Sequence, residues 1–147
     1  MKFRLLINRE AEEEVTASVH KRSEFTDRLE NMVLEYSGED RLPAYREDEM
    51  KRLSLEDIEC ITVLEGKTWA LDREGRRYRL RFRLRELEDR LPRNFIRINK
   101  SSIANRDRIE KLTAAFSGAV DAVFRCGWSD YVSRRCLTEL KRSLGLK

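Results

Sequence analysis

The sequence is poor in the residues from which metal sites and nucleophilic centres are built. It has one histidine, His20, and three cysteines, Cys60, Cys126 and Cys136, in 147 residues. A lone histidine with no cysteine near it cannot complete a multi-ligand metal site, and no motif around it supports a triad role. An odd, scattered set of cysteines is neither a disulfide framework nor a zinc site, and reads as buried or half-buried free thiols behaving as small hydrophobes. No metal and no cofactor is expected. No apolar run approaches the roughly 18–20 residues of a spanning helix, so no membrane partner is expected. Met1–Ile7 is too short for a signal-peptide core and is followed by Asn8-Arg9-Glu10, which points to a cytoplasmic protein. Phosphate-cradling glycine loops, dinucleotide fingerprints, internal repeats and low-complexity runs are all missing. Carboxylates are many, but no spacing singles out a general acid and base, so no enzymatic activity is expected.

What is present is charge, unevenly placed. Lysine and arginine number 31 against 27 acids, a net charge of +4. Residues 1–65 hold 10 bases and 17 acids, whereas residues 66–147 hold 21 and 10. That asymmetry points to a polyanionic partner for the second part, with a solvated charged surface as the alternative.

At this length one domain with a small appendage is expected. Phe3, Leu5 and Ile7 alternate, as do Val15, Ala17 and Val19, predicting two strands with a turn at Asn8–Glu14 and His20 on the polar face. Ser23 then reads as a helix N-cap with Glu24 and Asp27 in the first turn. Phe25, Leu29, Met32, Val33 and Tyr36 share one helical face, and Ser37-Gly38 stops the helix. Such a strand–strand–helix segment is too small to be stable alone. It must pack on the rest of the chain or on a second copy. Charged residues around Pro43 set the boundary, giving segments 1–43 and 44–147.

Beyond it, short strands are predicted at Tyr45, near Met50 and Leu53, over Ile58–Val63, and through Trp69–Leu71, with turns at Glu65-Gly66-Lys67 and Asp72–Gly75. Residues 76–83 alternate most cleanly. Tyr78, Leu80 and Phe82 point one way and Arg77, Arg79, Arg81 and Arg83 the other, with arginines about 7 Å apart from the strand rise. That row is either an edge guarded by charge or a phosphate-facing stripe. Leu84, Leu87 and Leu91 predict a short helix closed by Pro92. Strands are predicted around Ile109 and Leu112 and at Val120–Phe124, with turns at Ser117-Gly118 and at Cys126-Gly127, the latter leading toward Trp128–Val132. Ser133 caps a last helix that shows Cys136, Leu137, Leu140 and Leu144 on one side. The order is mainly β, antiparallel strands with small helices inserted, and it excludes a helix-turn-helix reader.

Within that order, Phe95–Asn105 is distinctive. A short strand, Phe95–Ile98, leads into four polar residues, Asn99-Lys100-Ser101-Ser102, before Ile103 and Ala104 return to apolar character. A polar knuckle between apolar anchors is a way to hold a recognition loop on a rigid sheet.

Several stretches together resemble the LytTR family of bacterial DNA-binding domains. They are Leu55–Ile58 entering the Cys60–Glu65 strand, the Arg85–Leu91 helix, Asn94–Asn105 with Ile109 four residues on, and Val132–Arg135 leading to Leu137–Leu140. The resemblance spans about residues 44–147. It implies an elongated fold of three small antiparallel sheets that binds duplex DNA at direct repeats through loops. Two successive major grooves and the minor groove between them would be touched. The contacting positions it implies are Lys67-Thr68, the knuckle Asn99-Lys100-Ser101, and Arg134-Arg135. Many members carry His where Asn99 stands here. The resemblance also implies a transcription regulator, here with the strand–strand–helix segment where a phospho-receiver domain is often found. The residues fit those three places. Lys100 at a loop tip reaches a base edge or a phosphate. Asn99 offers a donor and acceptor, or serves as a turn-former. Ser101 can donate to a phosphate. Arg134 and Arg135 open a helix whose dipole disfavours cations unless an anion binds there.

Two readings follow. One is a homodimeric DNA-binding regulator, with Phe25, Leu29 and Met32 as the contact face. The other is a protein-interaction module in which the acidic N-terminal part covers the basic face and a partner is regulated.

Overall fold

The computed structural model describes residues 1–114 and 118–146. The chain divides into two compact units, Met1–Gly38 and Glu39–Lys147. The break falls before the first strand, so Pro43 lies inside that strand rather than in a linker.

In the first unit only the helix forms. Helix α1 runs Glu24–Ser37, with Gly38 left-handed at φ 76°. The Ser23 N–H donates to Thr26 Oγ1 at 2.9 Å. The strands expected over residues 3–7 and 15–20 are not there, since residues 1–22 carry no strand pairing. Their alternation is real, but a lone two-stranded hairpin is marginal in water without a third strand or a packing partner. Phe3, Leu5, Ile7, Val15 and Val19 are all exposed, and no residue of α1 is buried.

Among its described residues, the second unit holds ten strands in two antiparallel sheets. The larger comprises β1 (Arg41–Arg46), β2 (Glu49–Ser54), β3 (Ile58–Leu64), β4 (Lys67–Asp72), β5 (Arg77–Leu80), β6 (Phe95–Asn99) and β7 (Ser102–Asn105), in spatial order β2-β1-β5-β4-β3-β7-β6. The smaller comprises β8 (Ile109–Ala114), β9 (Val120–Phe124) and β10 (Ser129–Val132), in order β10-β9-β8. Helix α2 spans Leu84–Arg90 and α3 Arg134–Ser143. Two sheets, not three, form because the β1–β2 hairpin joins β5 through the single pair Tyr45↔Arg79. The turn expected at Ser117-Gly118 includes Ser117, which is outside the described residues. Among the described residues, no helix is long and apolar enough to cross a membrane.

Period-two alternation sends side chains of the large sheet into two cores. Ile58, Ile61, Ala70, Leu80 and Ile103 meet Leu84 and Leu87 of α2. Cys60, Leu71, Ile98 and Ala104 meet Phe124 of the small sheet and Leu140 of α3. Burial pushes the Cys60 and Cys126 thiols up from their ordinary range, so neither is a ready nucleophile. Glu59, fully buried on β3, pairs with Arg108 and accepts from the Cys126 N–H at 2.8 Å, tying the large sheet to the small one.

The strand expected over residues 76–83 stops at Leu80, and it is interior, flanked by β1 and β4. Leu80 pairs with Thr68, the second residue of β4, after which little partner strand remains. The chain leaves to start α2, whose entry is fixed by Arg83 N–H donating to Glu86 Oε1 at 3.1 Å. Phe82 tucks half-buried against the first core with the Arg90 guanidinium 4.9 Å over its ring.

Candidate functional site

The knuckle is the tip of the β6–β7 hairpin. Lys100 and Ser101 form the turn itself, between Asn99 and its cross-strand partner Ser102. Its backbone is clamped from below by Arg97. That guanidinium donates from Nε to the Asn99 carbonyl at 2.7 Å and from Nη2 to the Lys100 carbonyl at 2.5 Å. Nη1 pairs with Glu88 of α2 at 2.6 Å. A planar fork is suited to holding two successive carbonyls. Removing the clamp with Arg97→Ala is expected to cost about 1.5–3 kcal/mol, the range for hydrogen bonds to a charged group. Urea unfolding measures the loss, and amide exchange at Lys100 and Ser101 should quicken. Unchanged exchange there would mean the turn holds itself.

Asn99 is 1% exposed. Its Nδ2 donates to the Tyr131 carbonyl at 2.7 Å and to Asp130 Oδ1 at 3.1 Å, while Oδ1 accepts from the Ser101 N–H at 2.8 Å. Both ends of the amide are therefore occupied within the fold. It holds the knuckle to β10 and has no face free to offer a ligand. Ser102 adds to the same junction, donating through its hydroxyl to Thr62 at 2.8 Å and contacting Asp130.

These contacts bring the three sequence-predicted places together. The Val63 N–H donates to the Ser101 carbonyl at 2.8 Å, one residue before the end of β3. The β3–β4 turn follows at once. It is built on positive φ at Glu65 (52°) and Gly66 (75°), the geometry a two-residue hairpin requires. That turn delivers Lys67 exposed, but Thr68 is 8% exposed and buried in the sheet. On the other side, the Ser133 N–H donates to the Ile98 carbonyl at 2.8 Å, so α3 starts beside the knuckle. Ser133 Oγ accepts from the Cys136 N–H at 3.3 Å as N-cap. Arg134 and Arg135 occupy the exposed first turn, which carries no acid to match the helix dipole.

Lys67, Lys100, Arg134 and Arg135 thus form one exposed cationic edge, and none has a carboxylate at salt-bridge distance among the described residues. Ser101 is half-buried beside Lys100, while Thr68 and Asn99 lie beneath the edge as support. Arg97 and Asp130 are parts of the site that the sequence did not single out. Arg97 reads as the polar position of an Ile-Arg-Ile strand, and Asp130 is 31 residues from Asn99. Neither carries a local signal. Among the described residues, no group of three His, Cys, Asp or Glu is placed to hold a metal ion.

Known proteins resemble this chain in family profile, in sequence and in fold. The family profile described as "LytTr DNA-binding domain" matches residues 48–145. An uncharacterized HTH-type transcriptional regulator of Staphylococcus aureus strain bovine RF122 / ET3-1 is 31% identical over 147 residues, covering 99% of each chain. A counterpart in strain MSSA476 is 30% identical over the same share. A solved LytTr DNA-binding domain from Bacillus cereus superposes with a TM-score of 0.66 at 19% identity, over 73% of this chain and 98% of that one. The Staphylococcus matches run through the N-terminal unit that the family profile leaves out. Strands separate α1 from α2 and α2 from α3, so the helix-turn-helix of the relatives' names does not describe these described residues.

Proposed function

The chain belongs to the LytTR family of DNA-binding domains, a regulator of the DNA-binding class, and from that premise we propose that it is a cytoplasmic transcription regulator reading duplex DNA through the exposed edge at Lys67, Lys100, Arg134 and Arg135. The observation that carries this reading is the hydrogen-bonded convergence of the β3–β4 turn, the knuckle and the start of α3. Lys100 stands at the tip of a braced turn and is the base-reading candidate. Arg135 and Arg134 suit a phosphate, which the positive end of α3 favours too. Ser101 adds a donor to the backbone, and Asn99 and Thr68 act by fixing the geometry. Contacts in two successive major grooves and the minor groove between, at direct repeats, are what the family resemblance adds to this reading.

Binding as a homodimer is part of the proposal. A 38-residue unit that buries none of its helix cannot stabilise itself. Each fully buried Phe, Leu or Met on a partner would contribute about 1.5–3 kcal/mol. Phe25 and Met32 are exposed and Leu29 is half-buried, all on one helical face.

Footprinting of the promoter of the protein's own operon, paired with a salt titration, tests the reading. Protected repeats and a log–log salt slope of about −0.9 per phosphate contact are expected. Absence of protection with a flat slope would overturn it. Deleting residues 1–38 should convert a dimer to a monomer by sedimentation and weaken binding to paired sites. A rise in affinity on deletion would instead favour the second reading, in which the acidic segment masks the basic face.

A further inference from the structure

We propose that the Arg77–Arg79–Arg81 stripe is a second duplex-DNA contact, a track for the phosphate backbone that continues from the reading edge onto the face of the large sheet. It rests on the DNA-binding reading above. The stripe cannot be a guarded sheet edge, because β5 lies between β1 and β4. On the sheet face Arg77 and Arg81 are exposed and Arg79 is half-buried.

Register places Tyr45 on one side of Arg79 and Trp69 on the other. The Arg77 guanidinium lies 5.4 Å over the Trp69 ring and that of Arg81 lies 4.2 Å over Tyr45. The arginines of β5 are thus flanked by rings from the strands on either side. The rings fix where each guanidinium sits, which lowers the ordering cost of binding an anion.

The small sheet and α3 cover this side of the large sheet around Cys60, Ile98 and Ala104. Further across, they leave a hollow lined by Tyr45, Arg46, Glu47, Trp69, Arg77 and Arg79. Its charge is three guanidiniums against one carboxylate. Arg73, Arg76, Arg97, Arg106 and Arg108 all have carboxylate partners. Arg77, Arg79 and Arg81 have none among the described residues, leaving their outward donors for a ligand.

Two observations choose the ligand. Arg77 and Arg79 at alternate positions of β5, with Arg81 just past its end, form a row of cations that suits a polyanion with a regular charge repeat. The stripe is also continuous with the reading edge. Leu80 pairs with Thr68, so Arg81 emerges beside Lys67 where β4 begins.

The test is the double variant Arg77→Gln/Arg81→Gln, in which both positions are exposed and the half-buried Arg79 is kept. Binding is measured on a duplex trimmed to the recognised repeats and on the same duplex extended by about one helical turn, roughly 10 base pairs, at each end. On the long duplex the salt slope should fall by about 1.8 and affinity at low salt on the order of tenfold. On the short duplex both should be close to wild type. Slopes and affinities equal to wild type on the long duplex overturn the proposal. A wild-type protein that binds neither duplex removes the DNA reading itself, and the stripe proposal with it. A wild-type melting temperature in the double variant is expected, and a large drop would mark the stripe as structural.

Discussion

Replacing Arg108 with alanine should cost about 3–5 kcal/mol of folding stability, because it leaves a buried carboxylate without its partner. Glu59 is 0% exposed and the Arg108 side chain 16%, so water cannot take over the lost contact. The loss would consume much of the roughly 5–15 kcal/mol that holds a domain folded. An exposed pair such as Arg73–Asp57, with side chains 47% and 45% exposed, belongs to the class worth about 0–1 kcal/mol. Burial decides which regime applies. Urea unfolding measures the difference. The double variant Arg108→Ala/Glu59→Gln should recover most of the loss, since a neutral amide oxygen can still accept from the Cys126 N–H. A single variant within about 0.5 kcal/mol of wild type would place the pair in the solvent-screened class. The same contact bears on function, because it holds the small sheet, and through β10 the Asn99 junction, against the large one.

Lys100→Ala and Arg135→Ala should together reduce specific DNA binding by about 10²–10³-fold while leaving the melting temperature unchanged. A good base contact contributes about 1–3 kcal/mol of discrimination, and sites without shared partners add. The fold uses the Lys100 carbonyl, through Arg97, and not its amine. Truncating the side chain therefore leaves the knuckle intact. The two positions are separable by salt. If Lys100 reads a base, Lys100→Ala narrows the gap between operator and unrelated duplex with little change in slope. If Arg135 holds a phosphate, Arg135→Ala weakens both duplexes alike and makes the slope shallower by about 1. Wild-type affinity in both single variants would remove this edge from the DNA contact.

Parts of this arrangement are readable residue by residue. The span from Ser23 to Gly38 announces α1 through its cap, its apolar period and its left-handed stop. Ser133 and the leucines after it announce α3. Glu65-Gly66 marks the hairpin that delivers Lys67. Each of these is a short-range signal in which a residue and its neighbours set backbone conformation. The Phe95–Asn105 stretch likewise shows a loop between anchors and puts Lys100 at its tip.

Asn99 shows where that kind of reading ends. Between Ile98 and Lys100 it is one more polar residue at a turn, equally suited to touching a ligand. Its burial follows from partners 31 and 32 residues away. Residues 1–22 show the converse. Their alternation satisfies a strand pattern, yet no ladder forms, because a strand is completed by a neighbour and not by its own sequence. The arginine row is a third case. Alternation places Arg77, Arg79 and Arg81 on one side, but only strand order tells an edge from an interior strand and sets Tyr45 and Trp69 among them.

By itself the sequence determined the mainly β class, the positions of the helices and the charge asymmetry, since all are properties of adjacent residues; the three places Lys67-Thr68, Asn99–Ser101 and Arg134-Arg135 are what the family resemblance implies. Tertiary structure alone decided that those places share one edge, that Asn99 and Thr68 support it while Lys67, Lys100, Arg134 and Arg135 project from it, and that Glu59 lies buried against Arg108. Each of those depends on pairings between residues far apart in the chain, and pairing distance leaves no mark on local pattern.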